Sequence, residues 1–383
     1  MMGQRQTAST VLAGACAIVF AVFLWPWGPG TALPKAAPAR ASDVSLSRVK
    51  VPGKALSAPV AIAADGNRVW VANSRYPMTG SAGGWVTELS AKTGELIRVI
   101  SARRDGLTDP EAIAADGNRV WVVNTLGSSV TEINATTGAL IRVISAQRYQ
   151  LNDPGAVTAD GNRVWVADAG NGSITEINAS TGALMRVISG KRYQLSSGGF
   201  SVAIAADRTS VWIPNASGNS VTEINARTGA LVRVISAERY QLSGPVEVAL
   251  TGNRVWVVCS NSDNSSVTEI NATTGALIQV ITSLPKFSFA AASGGAGVWF
   301  VTNAGVKGVG DSGPEGSVAE IGATSGQLIH NISGAPFATS NPGGAITAAG
   351  TNVWVAGTNY YRAQGWAAEL STATGALARI ISG

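Results

Sequence analysis

Seven glutamates recur along the chain: Glu88, Glu132, Glu176, Glu223, Glu269, Glu320 and Glu369. Arginines accompany them, with Arg119 and Arg142 flanking Glu132 as the pattern. A carboxylate can act as a general acid or base, but that work needs one or two groups in surroundings unlike the rest. One glutamate per repeat, recurring beside Arg119, Arg142 and their equivalents, fits cross-strand ion pairs between adjacent strands instead. His330 is the sole histidine, and it stands where other copies have Arg98, Arg142, Arg186 and Arg233. An edge residue is therefore expected there before a catalytic base. The two cysteines, Cys16 in an N-terminal apolar run and Cys259 in the fifth repeat, imply no disulfide framework. With one histidine they cannot furnish a metal site unaided, so no metal and no cofactor is expected.

Two other signals fail as chemistry. Gly310-Asp311-Ser312-Gly313-Pro314 has the form of a serine-nucleophile motif, but no histidine and aspartate framework accompanies it. The segment lies in a Gly-rich insertion and reads as coincidence. Asp65, Asp116 and Asp160 sit in Asp-Gly pairs, which form tight turns. No Walker loop, HExxH or EF-hand spacing occurs.

Residues that break the repeat are better candidates for binding. The connection after the second strand of each copy is short in copies 2 to 4. It lengthens in copies 1, 6 and 7, which become neighbours if the copies close into a ring. These stretches carry Arg75, Tyr76, Lys307, Asp311, Glu315, Tyr360, Tyr361 and Arg362, with Trp85 and Trp366 at their ends. Arginines and aromatics on long loops are what recognition surfaces use. Arg148-Tyr149, Arg192-Tyr193 and Arg239-Tyr240 follow the last strands of copies 2, 3 and 4, joined by Arg103 and Arg104. They are expected on the same face as a basic, aromatic arc suited to anionic sugars, phosphates or acidic protein. Packing of each tyrosine on the next copy is the competing expectation. Glu111 opens an inner strand as a lone carboxylate near the channel mouth.

The elements that must hold these residues follow from three markers in step. Trp70, Trp121, Trp165, Trp212, Trp256, Trp299 and Trp354 lie roughly 43–55 residues apart, the spacing of propeller blades. The glutamates keep the same order, as do Thr137-Gly138 and its counterparts. Each copy divides into four short β-rich runs between turns. In the second copy a small apolar run begins at Ala112, the Asp116-Gly117-Asn118 turn follows, and further strands cover 119–124, 130–134 and 140–145. The fold expected is all-β: a seven-bladed β-propeller of four-stranded antiparallel blades over residues 45–383, preceded by an N-terminal apolar helix. Residues 45–51 resemble an outer strand although the chain also ends on one. Either the last blade has a fifth strand or one segment lies outside the sheet.

The block Phe300-Val301-Thr302-Asn303, with Val71-Ala72-Asn73 and Val122-Val123-Asn124, resembles the Tyr-Val-Thr-Asn type of propeller repeat. The Pro-x-x-Ile-Ala-x-Asp-Gly opening is similar to repeats of the streptogramin B lyase and NHL propellers. Resemblance to the lyases implies a histidine base and a magnesium ion in the central channel. Here the one histidine falls on an outer strand, and no acidic cluster lines the inner strands.

Residues 1–27 have the order of an export element: Arg5 in a short polar start, then an apolar run over 10–27 long enough to span a bilayer. An uncleaved signal anchor is preferred to a cleaved signal peptide. Residues 28–44, rich in Pro and Ala, follow as a linker. Either outcome puts the repeats outside the cytoplasm, membrane-anchored or secreted. Charged residues are 13% of the chain, about half the usual ~25%. The formal charge of +5 is too diffuse to imply nucleic acid. The expectation is a monomeric, exported binding or scaffold module for a protein or anionic envelope polymer. The alternative is a metal-dependent lyase or hydrolase resembling streptogramin B lyase.

Overall fold

The computed structural model describes residues 46–383 apart from 75–82, 102–105, 146–147, 196–202, 237, 261–264, 283–287, 303–315, 338–340 and 360–363. The apolar run expected as an N-terminal helix, and the linker after it, lie outside the described residues. Among the described residues the only helices are two 3₁₀ turns, and no helix is long and apolar enough to cross a membrane.

The strands form seven sheets in chain order, each antiparallel from its inner to its outer strand. In the second blade these are Pro110–Asp116, Arg119–Asn124, Ser129–Asn134 and Leu140–Ser145. The sequence markers prove to be register partners. Trp121 lies opposite Glu132 and Glu132 opposite Arg142, and the first and third blades repeat this with Trp70, Glu88, Arg98 and with Trp165, Glu176, Arg186. Period-two alternation puts tryptophan, glutamate and outer arginine on the side of each blade that faces the next one. All seven tryptophans are fully buried. Each packs with valines and isoleucines of the following blade, as Trp121 does with Val164, Val166 and Ile177. Seven such interblade cores exist, and the one joining blades 7 and 1 contains Trp354, Val69, Val71 and Ile381. The ring therefore closes by side-chain burial.

In blade 7 the first of the two alternatives for residues 45–51 holds, a fifth strand. Ser47–Lys50 adds to its outer strand, Leu377–Ser382, in parallel register from Ser47 opposite Arg379 to Lys50 opposite Ser382. Ile380 of that outer strand is 8% exposed, in the core that holds Phe337, whereas the equivalent Val99 of the first blade is 44% exposed.

The Thr-Gly hairpins have a second cause beyond turn chemistry. Gly182 has φ +69°, a conformation that favours glycine. A Cβ there would also collide with the guanidinium of Arg142, on the outer strand of the preceding blade. The outer-strand residue of each blade thus lies on the hairpin of the next, a contact between residues about 40 positions apart.

Candidate functional site

The seven glutamates are interblade struts. Glu88 and Glu176 are fully buried, and each is gripped by two arginines: Glu88 by Arg68 and Arg98, Glu176 by Arg163 and Arg186. The same guanidinium groups donate onward to carbonyls of the next blade, Arg98 to Thr136 at 3.0 Å and Arg163 to Ala226 at 2.6 Å. Burial raises the pKa of both carboxyls, and the paired arginines oppose it. His330 occupies the arginine position of blade 6, with Nδ1 2.5 Å from Oε2 of Glu320 and its ring stacked on Trp299 at 6.0 Å. The histidine is thus on an outer strand, engaged with the strut of its own blade.

The Arg-Tyr pairs are not laid out on the loop face as an open arc. Tyr149, Tyr193 and Tyr240 are buried. Each loop turns back over the following blade, and its tyrosine hydroxyl donates to the carbonyl of that blade's Thr-Gly hairpin: Gly182 at 2.7 Å, Gly229 at 3.1 Å and Gly275 at 2.8 Å. These hairpins close the third and outer strands, at the end of the blade opposite the expected arc. The expectation that each tyrosine packs on the next copy is the one that holds, because a ring of this size is stabilised more by filling an interblade crevice than by facing water. The arginines remain exposed. Arg148, Arg192 and Arg239 lie over the tyrosine rings at 4.8, 4.8 and 5.0 Å, a cation–π geometry. The pair at Arg148 lines an open cleft with Arg142, Ser145, Thr181 and Gly182. Three like units stand on consecutive blade junctions around the outer wall.

The loop itself is tied by a polar relay. Thr175 on the third strand donates to the carbonyl of Tyr149 at 2.9 Å, and Thr222 and Thr268 do the same for Tyr193 at 2.6 Å and Tyr240 at 2.7 Å. In blade 2 the acceptor is Gly106, and in blade 1 it is Ala55. Neither position carries a tyrosine, so Val143 and Val99 below them stay exposed.

Of the long-loop candidates, Arg75, Tyr76, Lys307, Asp311, Glu315, Tyr360, Tyr361 and Arg362 lie outside the described residues, as do Arg103 and Arg104. Trp85 and Trp366 are both buried. Trp85 donates to the carbonyl of Ala55 at 2.9 Å, and Trp366 meets Phe337 edge-on at 5.6 Å in the core between blades 6 and 7. They therefore serve as packing at the loop bases. In blade 7 the extra residues lengthen strands: Thr358 pairs with Gly365 and Asn359 with Gln364, leaving only 360–363 between the paired ends.

Three carboxyls outside the struts stand out. Glu111 is exposed at the start of its inner strand, and its pKa is raised by desolvation first and then by Asp109 and Asp153. Glu247 was missed by sequence reasoning. It replaces the small residue found at Ala61, Ala112 and Ala156, and burial lifts its pKa to about 8 against one hydrogen bond from the Val248 N–H. Asp168 was missed as well. It replaces the asparagine of Asn73, Asn124 and Asn215, is 1% exposed, and is pushed up to about 7 by burial. Aligning the copies against one another would have exposed both. Among the described residues no group of three or more His, Cys, Asp or Glu is placed to hold a metal ion.

No protein-family model matches the chain, and no curated protein matches it. Solved structures do. Hydrazine synthase of Kuenenia stuttgartiensis superposes with a TM-score of 0.61 at 18% identity, over 87% of this chain and 99% of that one. The computationally designed protein Ika8 gives 0.55 at 17%, over 79% and 94%. At such identities the likeness is one of fold, and it defines the chain as a seven-bladed β-propeller protein.

Proposed function

We propose that this propeller is an exported, membrane-anchored binding module that takes an anionic partner, an envelope polymer or acidic protein surface, along its outer wall. The observation that carries the reading is the threefold recurrence of an exposed arginine stacked on a buried tyrosine, at three successive blade junctions. The stacking pre-positions each guanidinium and leaves donors for phosphate, sulfate or carboxylate. Spacing the cations on a rigid wall favours a polymer, because several weak contacts then act together. Export and anchoring rest on the sequence of residues 1–27, and the repeat resembles the Tyr-Val-Thr-Asn type. The test is retention of the purified protein on immobilised polyphosphate and on dextran sulfate. The triple substitution Arg148→Gln, Arg192→Gln, Arg239→Gln leaves the tyrosine locks in place. It is expected to weaken retention at least tenfold and to flatten its salt dependence. Equal retention by the triple variant, with an unchanged melting temperature, would refute the reading.

A further inference from the structure

Blade 3 differs from its neighbours in one buried atom. In blades 2 and 4 an asparagine amide donates to the relay threonine, Asn124 to Thr131 at 2.9 Å and Asn215 to Thr222 at 2.9 Å. The threonine can then give its single hydrogen to the loop carbonyl. Blade 3 has Asp168 instead, with Oδ2 3.1 Å from the hydroxyl of Thr175 and 3.5 Å from that of Ser173. Both hydroxyls have nearer acceptors: Thr175 the Tyr149 carbonyl at 2.9 Å, Ser173 the Asn171 Oδ1 at 2.8 Å. Each hydroxyl has one hydrogen, so Oδ2 faces two oxygens with none left to receive. The relay is complete only when Oδ2 carries its own proton, which makes the acid a donor like the asparagines.

We propose that Asp168 is a proton-operated latch on the interblade loop at residues 148–153. Protonated, it donates to Thr175, which holds the Tyr149 carbonyl. Ionised, it competes for the Thr175 hydrogen and the loop loses that tie. Oδ1 is already committed, accepting from the Asn152 N–H at 3.3 Å within the same loop. The charged and titratable groups on the packed elements are Arg148, Tyr149 and Asp153 on the loop, Asp160 and Arg163 at the far turn of the inner hairpin, and, on the neighbouring face of blade 2, Glu111 and the strut of Glu132 with Arg119 and Arg142. On the third strand there is Glu176, turned to the other side of the sheet and held by Arg163 and Arg186. None of these figures among the causes that set Asp168: burial comes first, opposed by the neighbouring Thr175 hydroxyl, Asn152 N–H and Ser173 hydroxyl. The latch acts on the blade-3 Arg-Tyr unit alone, and it stands whether or not that unit binds an anion.

Amide hydrogen exchange of the full-length protein tests it, corrected for intrinsic rates. A folded pKa of about 7 above an ordinary value of 3.8 means the loop is tied best in acid and loosens as pH rises. Protection at residues 149–153 is expected to fall by up to about tenfold per pH unit between pH 5 and 7, and to level off above. Protection at residues 193–195, governed by Asn215, should not follow. Asp168→Asn should abolish the dependence, and Asn215→Asp should transfer it to the Tyr193 loop. A pH-independent loop in the native protein, or a dependence that survives Asp168→Asn, overturns the latch. Should either variant fold poorly, the other still decides.

Discussion

Blade 6 offers a defined perturbation, because its strut lacks both arginines. Gly297 replaces the inner one, and a Cβ there would collide with the Glu320 carboxylate, so the carboxylate fills that space itself. His330 replaces the outer one, and the Glu320 side chain is 2% exposed with the imidazole as its partner. Substituting His330→Arg restores the outer-strand arginine of blades 1 to 4. The guanidinium would lie on Gly375 as His330 does now, and as Arg98 lies on Gly138. Its outer nitrogen would reach the Ala373 carbonyl, just as Arg98 and Arg233 reach Thr136 and Thr273 at 3.0 Å.

The expected gain follows from those contacts. A hydrogen bond to a charged group is worth roughly 1.5–3 kcal/mol, but the site is partly exposed and the torsions of a long side chain are ordered. Loss of the imidazole stack on Trp299 removes up to about 1 kcal/mol. A net stabilisation of about 1–2 kcal/mol remains, a rise of roughly 1–3 °C in melting temperature for a domain of this size. The sign with pH is fixed by Glu320, whose pKa burial raises. A group with a raised folded pKa costs stability as pH rises through it. The added guanidinium favours the ionised Glu320 carboxylate, so the gain should be larger at pH 8 than at pH 5.5. Differential scanning calorimetry of the four members of a cycle with Glu320→Gln measures the coupling. A gain that persists in full in the Glu320→Gln background, or a variant less stable at both pH values, would refute the account of the struts.

Two further outcomes are expected. Tyr240→Phe removes the hydroxyl that donates to Gly275 at 2.8 Å and strands a buried carbonyl, costing about 1 kcal/mol in urea unfolding; no loss would mean the tyrosine is not a lock. Glu247→Gln should flatten the melting temperature against pH between about 4.5 and 8, because the native carboxyl, held at about 8, withdraws stability as pH rises across that range. An unchanged slope would place Glu247 in ordinary contact with channel water.

The tryptophans and glutamates were readable as architecture because they are local in period, and the structure adds that they are cross-strand partners. The Arg-Tyr pairs were legible as a repeated unit but not in their direction. Nothing in Arg148-Tyr149-Gln150 states that the loop folds back by the width of a blade, since the carbonyl that receives Tyr149 is in the next copy. The requirement for glycine at 182 is hidden for the same reason: half of it is Arg142, one blade away. Blade 7 misled through counting. Its additional residues read as a loop, yet alternation continues through Trp366 and Gly365 and the pairing continues with it. Asp168 and Glu247 were visible as single letters. A charge that recurs explains itself by its period, whereas a buried acid that occurs once is explained only by neighbours that the sequence does not place.

The junction of blades 7 and 1 shows how much of the ring is non-covalent. At the junctions leading into blades 2 to 5 the chain leaves an outer strand, crosses the next blade and hands a carbonyl to its relay threonine. Between blades 7 and 1 the connection comes from the start of the propeller. It is made by residues 51–58, where the Ala55 carbonyl accepts from Thr87 and Leu56 is fully buried. The parallel strand Ser47–Lys50 brings this segment into place, and the Val51 N–H continues the ladder onto the Ser382 carbonyl at 3.0 Å. Arg379 completes the junction from the other side, donating to the Lys92 carbonyl at 3.1 Å across the hairpin of blade 1. The added strand thus acts as a clamp between the two blades, and its parallel direction follows from that task. Only a strand running with Leu377–Ser382 can deliver its C-terminal end at the point where an interblade loop must begin.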